Sequence, residues 1–366
     1  LGILNLNPIP DPCYFCLRLT LALLLTIDPV LSLAASDAPA GCAPLAGKTI
    51  RWIVPTQPGG GYDAYSRLLQ PFLERLLDAR LFIDNQPDAG GIVAAVAIRD
   101  AIADGTTLGL INASGLLAAH AIEGQLAPDP TTDFTLLGQV VSNHMVVFSG
   151  RDSGLKDIHD LLRVAQSRPI VVGVRDAGSS SFFAVPVVAD LLGIDYALVS
   201  GYVGSSARTL ALMRGEIDIM LASLDTVIGQ VQSGELIPLL QLTASAQSGL
   251  DIPQLGGPEG FASQRAVATG RTPAQAEQWA NDLATIMSAG RLVVAPAQLP
   301  HQIATCLENS LRQILQSDEL VAAAQRAQLG IDYQDSAAAY QGLLAGSRGV
   351  EQFHDLIQAA IEQARE

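Results

Sequence analysis

The chain has 366 residues, 49% of them hydrophobic and 16% charged, and 21 Lys and Arg against 36 Asp and Glu leave a net charge of −15. That much apolar content at so little charge excludes an intrinsically disordered chain, and the length predicts about two domains with cores of their own. The acidic balance excludes a binder of nucleic-acid backbone, which needs a basic face, and leaves any anionic ligand to local donors.

Arg18 precedes an apolar run over 19–27, and small residues follow at Ala34, Ala35 and Ser36. A positive residue, a short apolar stretch and a small-residue site predict a secretory signal peptide over 1–35, and its apolar run of nine positions is too short to span a bilayer. The mature chain is therefore expected to be exported. Cys13 and Cys16 leave with that segment. Parity then predicts a structural disulfide between the two remaining cysteines, Cys42 and Cys306, in an oxidising compartment. Lipidation of Cys42 is the alternative, and Pro39 opposes it by standing where a large aliphatic residue is wanted. With no second Cys or His pair at ligand spacing, no metal site is expected.

From residue 48, short β-rich runs alternate with helical stretches. A strand over 50–54 precedes a helix over 62–77, whose Tyr65, Leu68, Leu69, Phe72, Leu73 and Leu76 share one face. Pro71 is expected to kink or shorten that helix. A strand over 81–83, a helix over 92–103 and a strand over 107–111 complete a β-α-β-α-β unit, which implies a parallel sheet with right-handed crossovers. The rhythm then repeats. Strands are expected over 140–148, 170–174, 196–199, 217–221 and 237–242, and helices over 155–166, 182–192, 205–213 and 227–232. Beyond 270 the chain reads as mostly helical. Thr272, Pro273 and Gln275 give an N-cap, an N1 proline and a capping-box partner, and Gly290 closes that helix. Further helices are expected over 301–316, 318–328, 336–346 and 350–364. The whole predicts an α/β fold of two domains joined by crossing strands.

Ligands of α/β sheets sit beyond the carboxyl ends of the strands, which directs attention to five loops. The first, 55–63, carries Gly59, Gly60 and Gly61 before Tyr62 and Asp63. Its glycines admit close backbone approach, and the helix that follows points N–H groups into the cleft, so a carboxylate or phosphate fits without Lys or Arg. The second, 85–91, reads equally well as a plain turn. The third, 112–115, offers Asn112 and Ser114. The fourth, 176–181, offers Ser179, Ser180 and Ser181 at a helix start and is the natural counterpart of the first. The fifth combines 201–206 with 224–226. Signatures of chemistry are missing: Gly47-Lys48-Thr49 lacks the earlier glycine of a P-loop, no Ser lies in a GxSxG elbow, and the five histidines are scattered. No catalytic residue and no cofactor is expected.

Trp52-Ile53-Val54-Pro55 with Pro58-Gly59-Gly60-Gly61-Tyr62-Asp63 and Arg67, followed by Asp84-Asn85 through Gly90-Gly91 and Asp104-Gly105-Thr106, resembles the Bug-type extracytoplasmic solute receptors of tripartite tricarboxylate transporters. Gly201-Tyr202-Val203-Gly204, Arg214 through Asp218, Ser233 through Leu236 and Ala295 through Pro300 continue the resemblance over nearly the whole mature chain. The sequence departs from the family pattern at Asp88, at Ser180, at the absence of a His over 182–184, and over 255–290.

The resemblance implies a two-lobe periplasmic-binding-protein fold of type 2, with two parallel-rich sheets flanked by helices, a hinge of crossing strands and a closing cleft. The lobes are expected as 36–145, 146–243 and a return segment 244–366 belonging to the first lobe. It implies a monomer that binds a small carboxylate and delivers it to membrane permease subunits. Carried over residue by residue, the candidate ligand contacts are Gly60, Gly61, Tyr62 and Asp63, facing Ser179, Ser180 and Ser181, with Tyr202, Ser205 and Asp225 near them. Ser114 joins them from the third loop. The alternatives are a receptor that signals to a sensor kinase, and an enzyme on the same scaffold using Asp63 or Asp225 as a base.

Overall fold

A computed structural model of the chain describes residues 41–176, 178–243 and 250–364. The expected signal peptide, with Cys13 and Cys16, lies outside them. The first strand, β1 (Thr49–Val54), is bounded by the Gly47 turn and by Pro55, and it buries Ile50, Trp52, Ile53 and Val54. The chain then alternates through α1 (Gly61–Leu77), β2 (Arg80–Asn85), α2 (Ile92–Arg99), β3 (Thr107–Asn112) and α3 (Ala113–Glu123). Pro71 does not shorten α1, which runs 17 residues through it. Pro71 sits on the exposed side, where water satisfies the carbonyl its ring frees. Residues 112–115, expected as a loop, begin α3: the Asn112 side chain accepts from the Gly115 N–H as its N-cap.

β4 (Phe134–Val141) and β5 (Met145–Gly150) replace the single strand expected over 140–148. They belong to different sheets, and Ser142, Asn143 and His144 carry the chain across. There follow α4 (Ile158–Ala165), β6 (Ile170–Gly173), α5 (Ser180–Leu192), β7 (Tyr196–Val199), α6 (Gly204–Met213), β8 (Ile219–Ser223), α7 (Ile228–Gln232) and β9 (Leu236–Gln241). The last third holds α8 (Phe261–Arg265), α9 (Pro273–Ser288), β10 (Arg291–Pro296), α10 (His301–Leu315), α11 (Asp318–Arg326), α12 (Ser336–Val350) and α13 (His354–Gln363). The capping box of α9 is formed as expected: Gln275 N–H donates to Thr272 Oγ1, and the Gln275 side chain accepts from Thr272 N–H.

The strands build two mixed five-stranded sheets, ordered β2-β1-β3-β10-β4 and β7-β6-β8-β5-β9. In the first, β1 runs parallel to β2 and β3, and β10 pairs antiparallel with β3 and β4. In the second, β6 runs parallel to β7 and β8, and β5 pairs antiparallel with β8 and β9. This is the two-lobe α/β architecture, with β10 as an unanticipated central strand. All six of its residues are buried, and behind Arg291 it is a short apolar run, Leu292 to Ala295, that local periodicity cannot tell from a helix segment. Gly290 fits there because a Cβ would fall within the Val141 carbonyl, where β4 ends and the chain crosses.

The return segment divides its packing. Phe261, Ala266, Ala280 and Leu283 share a cluster with Phe183 and Leu191 of α5 and with Phe353 and Ile357, all over the second sheet. Ile303, Leu307 and Leu311 of α10 pack instead with Trp52, Leu69 and Leu73 of the first. We therefore place lobe crossings at 142–144 and 289–290, and a third along α12, whose end brings Val350, Phe353 and Ile357 back over the second sheet. Cys42 and Cys306 form the expected disulfide, tying the start of the first lobe to α10.

Candidate functional site

The loops at the carboxyl ends of β1, β2, β6, β7 and β8 converge on a cavity of about 560 Å³ between the sheets. That size suits a small-molecule ligand. Segments 55–62 and 87–89 line it from the first sheet, and 179–181, 201–206 and 221–223 from the second, with Asn143 of the crossing segment between them.

Of the residues singled out in the sequence, Gly60, Gly61, Tyr62, Ser179, Ser180, Ser181, Tyr202 and Ser205 lie in the cavity wall. Gly60 caps α1 without a side chain, so the first-turn N–H groups of that helix have no side-chain acceptor. At Gly61 a Cβ would fall 2.7 Å from Thr226 Cγ2 and 3.2 Å from Arg291 Nη2, so the loop passes only as glycine. Ser179 is spent on the fold: its hydroxyl donates to Asp176 O at 2.7 Å and accepts from Phe182 N–H. Ser181 lies 3.2 Å from it, oxygen to oxygen.

Asp63, Ser114 and Asp225 do not line the cavity. Asp63 is buried inside the first loop, where its carboxylate accepts from Gly59 N–H at 2.8 Å, Arg67 Nε at 2.8 Å and Asn85 Nδ2 at 3.0 Å. It shapes the glycine loop from behind. Burial pushes its pKa up, but the bonds from Arg67, Gly59 and Asn85 outweigh that and hold it below the ordinary carboxylate value. A depressed folded-state pKa stabilises the fold above the unfolded value, near pH 4, and that contribution is lost as pH falls through the folded pKa. Asp63→Asn is thus expected to be less stable than the wild type at pH 7, with the gap narrowing below pH 4; parallel urea titrations at both pH values check this. Ser114 is fully buried, and its hydroxyl donates to Asn112 Oδ1 at 3.3 Å. Asp225 accepts from Ser223 Oγ and from Tyr65 OH at 3.0 Å.

The first loop, expected to take an anion without Lys or Arg, contains neither, but three arginines not singled out in the sequence, Arg175, Arg208 and Arg291, line the rest of the cleft. Arg291 opens β10 and is 1% exposed. Its Nη1 stands 3.0 Å from Asp225 Oδ2, and its guanidinium carbon lies 5.1 Å and 4.6 Å from the rings of Tyr62 and Tyr65. Burial is the largest single effect and lowers its pKa, but the Asp225 charge and hydrogen bond, with Tyr65 and Tyr62, together outweigh it and hold the pKa above the ordinary value, so it stays cationic. The pair links the first sheet to the loop after β8. Arg175 follows β6, with Nε 3.3 Å from Asp176 Oδ2. Arg208 lies on the buried face of α6 with Thr209, Ala211 and Leu212. A charged residue at the core-facing period of a helix was the signal available for it in the sequence.

The lobes touch across the cleft. A Cβ on Gly90, whose φ is +69°, would fall 2.3 Å from the Gly178 carbonyl carbon, so the second loop meets the fourth backbone to backbone. Gln328 Nε2 donates to Gln232 Oε1 at 2.9 Å at the far rim.

A family model for tripartite tricarboxylate transporter family receptors matches residues 66–255, just over half of the chain. A UPF0065 protein from the tcbD–tcbE intergenic region of Pseudomonas sp. strain P51 is 28% identical over 193 residues, 51% of this chain and 54% of that protein. The matched stretch thus spans about half the length of that relative. Among solved structures, MatC of Rhodopseudomonas palustris with bound malate superposes with a TM-score of 0.64 at 20% identity, covering 85% of this chain and 99% of that one. The periplasmic binding protein BugD does so with a TM-score of 0.67 at 19% identity, covering 86% and 97%. At these identities the structures establish the shared two-lobe fold.

Proposed function

Because this chain belongs to the tripartite tricarboxylate transporter receptor family, we propose that it is a periplasmic receptor whose cleft closes on a small carboxylate for delivery to membrane permease subunits. The observation that carries this reading is the meeting of the first loop, 55–62, and the serine loop, 179–181, in the walls of one cavity. The uncapped start of α1 offers N–H groups and the positive end of a helix dipole to an anion. Closing the lobes removes water and strengthens every such bond. Affinity then rests on how much better the closed state binds than the open one. The malate held by MatC, on the same fold, supports a carboxylate as the ligand.

Asp63 and Asp225, the two carboxylates that an enzyme would need as bases, are both engaged within the fold and stand behind the wall, which favours binding over turnover. Isothermal calorimetry against mono-, di- and tricarboxylates tests the proposal. At least one of them is expected to bind with a Kd of about 1 μM or below, near −8 kcal/mol. Absence of heat with every member of the panel would overturn it.

A further inference from the structure

Arg208 is the charge in this cleft that the protein leaves unmatched. It is 8% exposed and lines the cavity. Nη1 donates to Leu221 O at 2.6 Å and Nε to Gly204 O at 3.4 Å, which hold the side chain in place with carbonyl dipoles alone. Among the described residues it pairs with no carboxylate. Its charged neighbour is Arg175, and burial together with that like charge pushes the Arg208 pKa down to about 10, so it remains cationic at neutral pH at a cost. The other two arginines differ: Arg291 is matched by Asp225, and Arg175 stands beside Asp176. The Nε of Arg175 is nonetheless buried without a hydrogen-bond partner.

A buried guanidinium without a counter-charge is unfavourable, and closing the cleft over it makes it more so. A ligand whose single carboxylate sits at the start of α1 leaves that cost in place. A ligand with a second carboxylate on the opposite wall removes it through a paired, charge-assisted contact to the guanidinium edge. We infer that Arg208, with Arg175 beside it, is the specificity-determining residue of the second-lobe wall: it receives a second anionic group, so the receptor selects diacids over half-amides, monoacids and zwitterionic amino acids of the same length. This rests on the receptor reading above and names the class of ligand within it.

The test is calorimetric titration of the wild type and of Arg208→Gln with succinate, malate, glutarate and adipate, each beside its half-amide. The wild type is expected to prefer the tightest diacid over its half-amide by about 100-fold, the scale for one partner of a buried charge pair. Arg208→Gln is expected to remove that preference by weakening the diacid about 100-fold and the half-amide by less than about threefold. Equal weakening of both ligands would mark Arg208 as merely structural and overturn the inference, as would no weakening of either. If the Gln variant does not fold, Arg208→Lys keeps the charge without the planar fork; a loss of about 10-fold for the diacid alone supports the assignment, and equal effects on both ligands refute it. Should a monocarboxylate bind the wild type while no diacid does, the inference is overturned. Should no carboxylate of any class bind, the receptor proposal fails separately, and sulfate then reads the subsite. A rise in Tm with sulfate that the wild type shows and Arg208→Gln lacks upholds the subsite, and no difference between them sinks it.

Discussion

Replacing Cys42 and Cys306 together by alanine is expected to lower the stability of the folded chain by about 4 kcal/mol. The two residues are 264 positions apart, so the bond closes nearly the whole folded chain into one loop. The chain-entropy account gives its largest values for such loops, and measured effects of 2–4 kcal/mol are the usual range, so the expectation sits at the upper end. The surroundings favour it. Both sulfurs are buried in the core of the first lobe with Leu45, Ile303 and Leu307, and Cys42 Sγ lies 3.7 Å from Ser310 Oγ. The bond holds residues 41–47 against α10 just before β1 begins. With an unfolding entropy of roughly 2 cal/mol/K per residue over a domain of this size, 4 kcal/mol corresponds to a Tm lower by about 6 °C. Scanning calorimetry of the double variant beside the oxidised wild type measures it, and a difference under about 1 °C refutes a stabilising role. With its sulfur in this bond, Cys42 has no thiol left to carry a lipid.

Elements whose ends are fixed by local chemistry were legible in the sequence. Thr272 and Gln275 announce α9, Gly215 ends α6 with its φ of +68°, and β1, β2 and β3 carry their apolar residues between turn residues. What stayed hidden depends on partners distant in the chain. The stretch from Val140 to Phe148 is buried on both sides of Ser142, Asn143 and His144, and nothing local says that its two halves join different sheets. β10 reads as a short apolar run until β3 and β4 flank it, and their pairing residues lie some 150 to 180 positions upstream.

The site divides in the same way. Glycines and serines at strand-to-helix turns point to both mouths of the cleft because their backbone geometry is local. Asp63 and Asp225 carry the right chemistry at the right loops, yet their hydrogen bonds turn them inward, and only coordinates show which way a carboxylate faces. Arg291 reaches the cavity because β10 inserts into the first sheet, and Arg208 because the buried face of α6 forms a wall. Spacing puts Arg208 on the buried face of its helix, but that this face borders a cavity, and that Arg291 reaches the same cavity, follows only from the tertiary fold. The acidic balance of the chain thus conceals three arginines in the wall of one cavity.

Gly178→Ala is expected to weaken ligand binding by about 100-fold, or about 2.7 kcal/mol, while leaving the fold intact. A Cβ at this position falls 2.7 Å from Ala89 O and 3.1 Å from Gly90 Cα, both backbone atoms of the opposite lobe. Backbone cannot swing aside as a side chain does, so the added methyl wedges the second and fourth loops apart. Gly90→Ala is the poorer experiment, because its φ of +69° would strain any side chain in both states. Association with the open cleft should proceed at nearly the normal rate, with the loss appearing as faster dissociation. Gly342→Ala, with open space around the new methyl, is the matched control. Small-angle scattering should then show wild type and control compacting at saturating ligand and Gly178→Ala remaining extended. Unchanged affinity together with full compaction in Gly178→Ala would show that contact between these two loops is no part of closure.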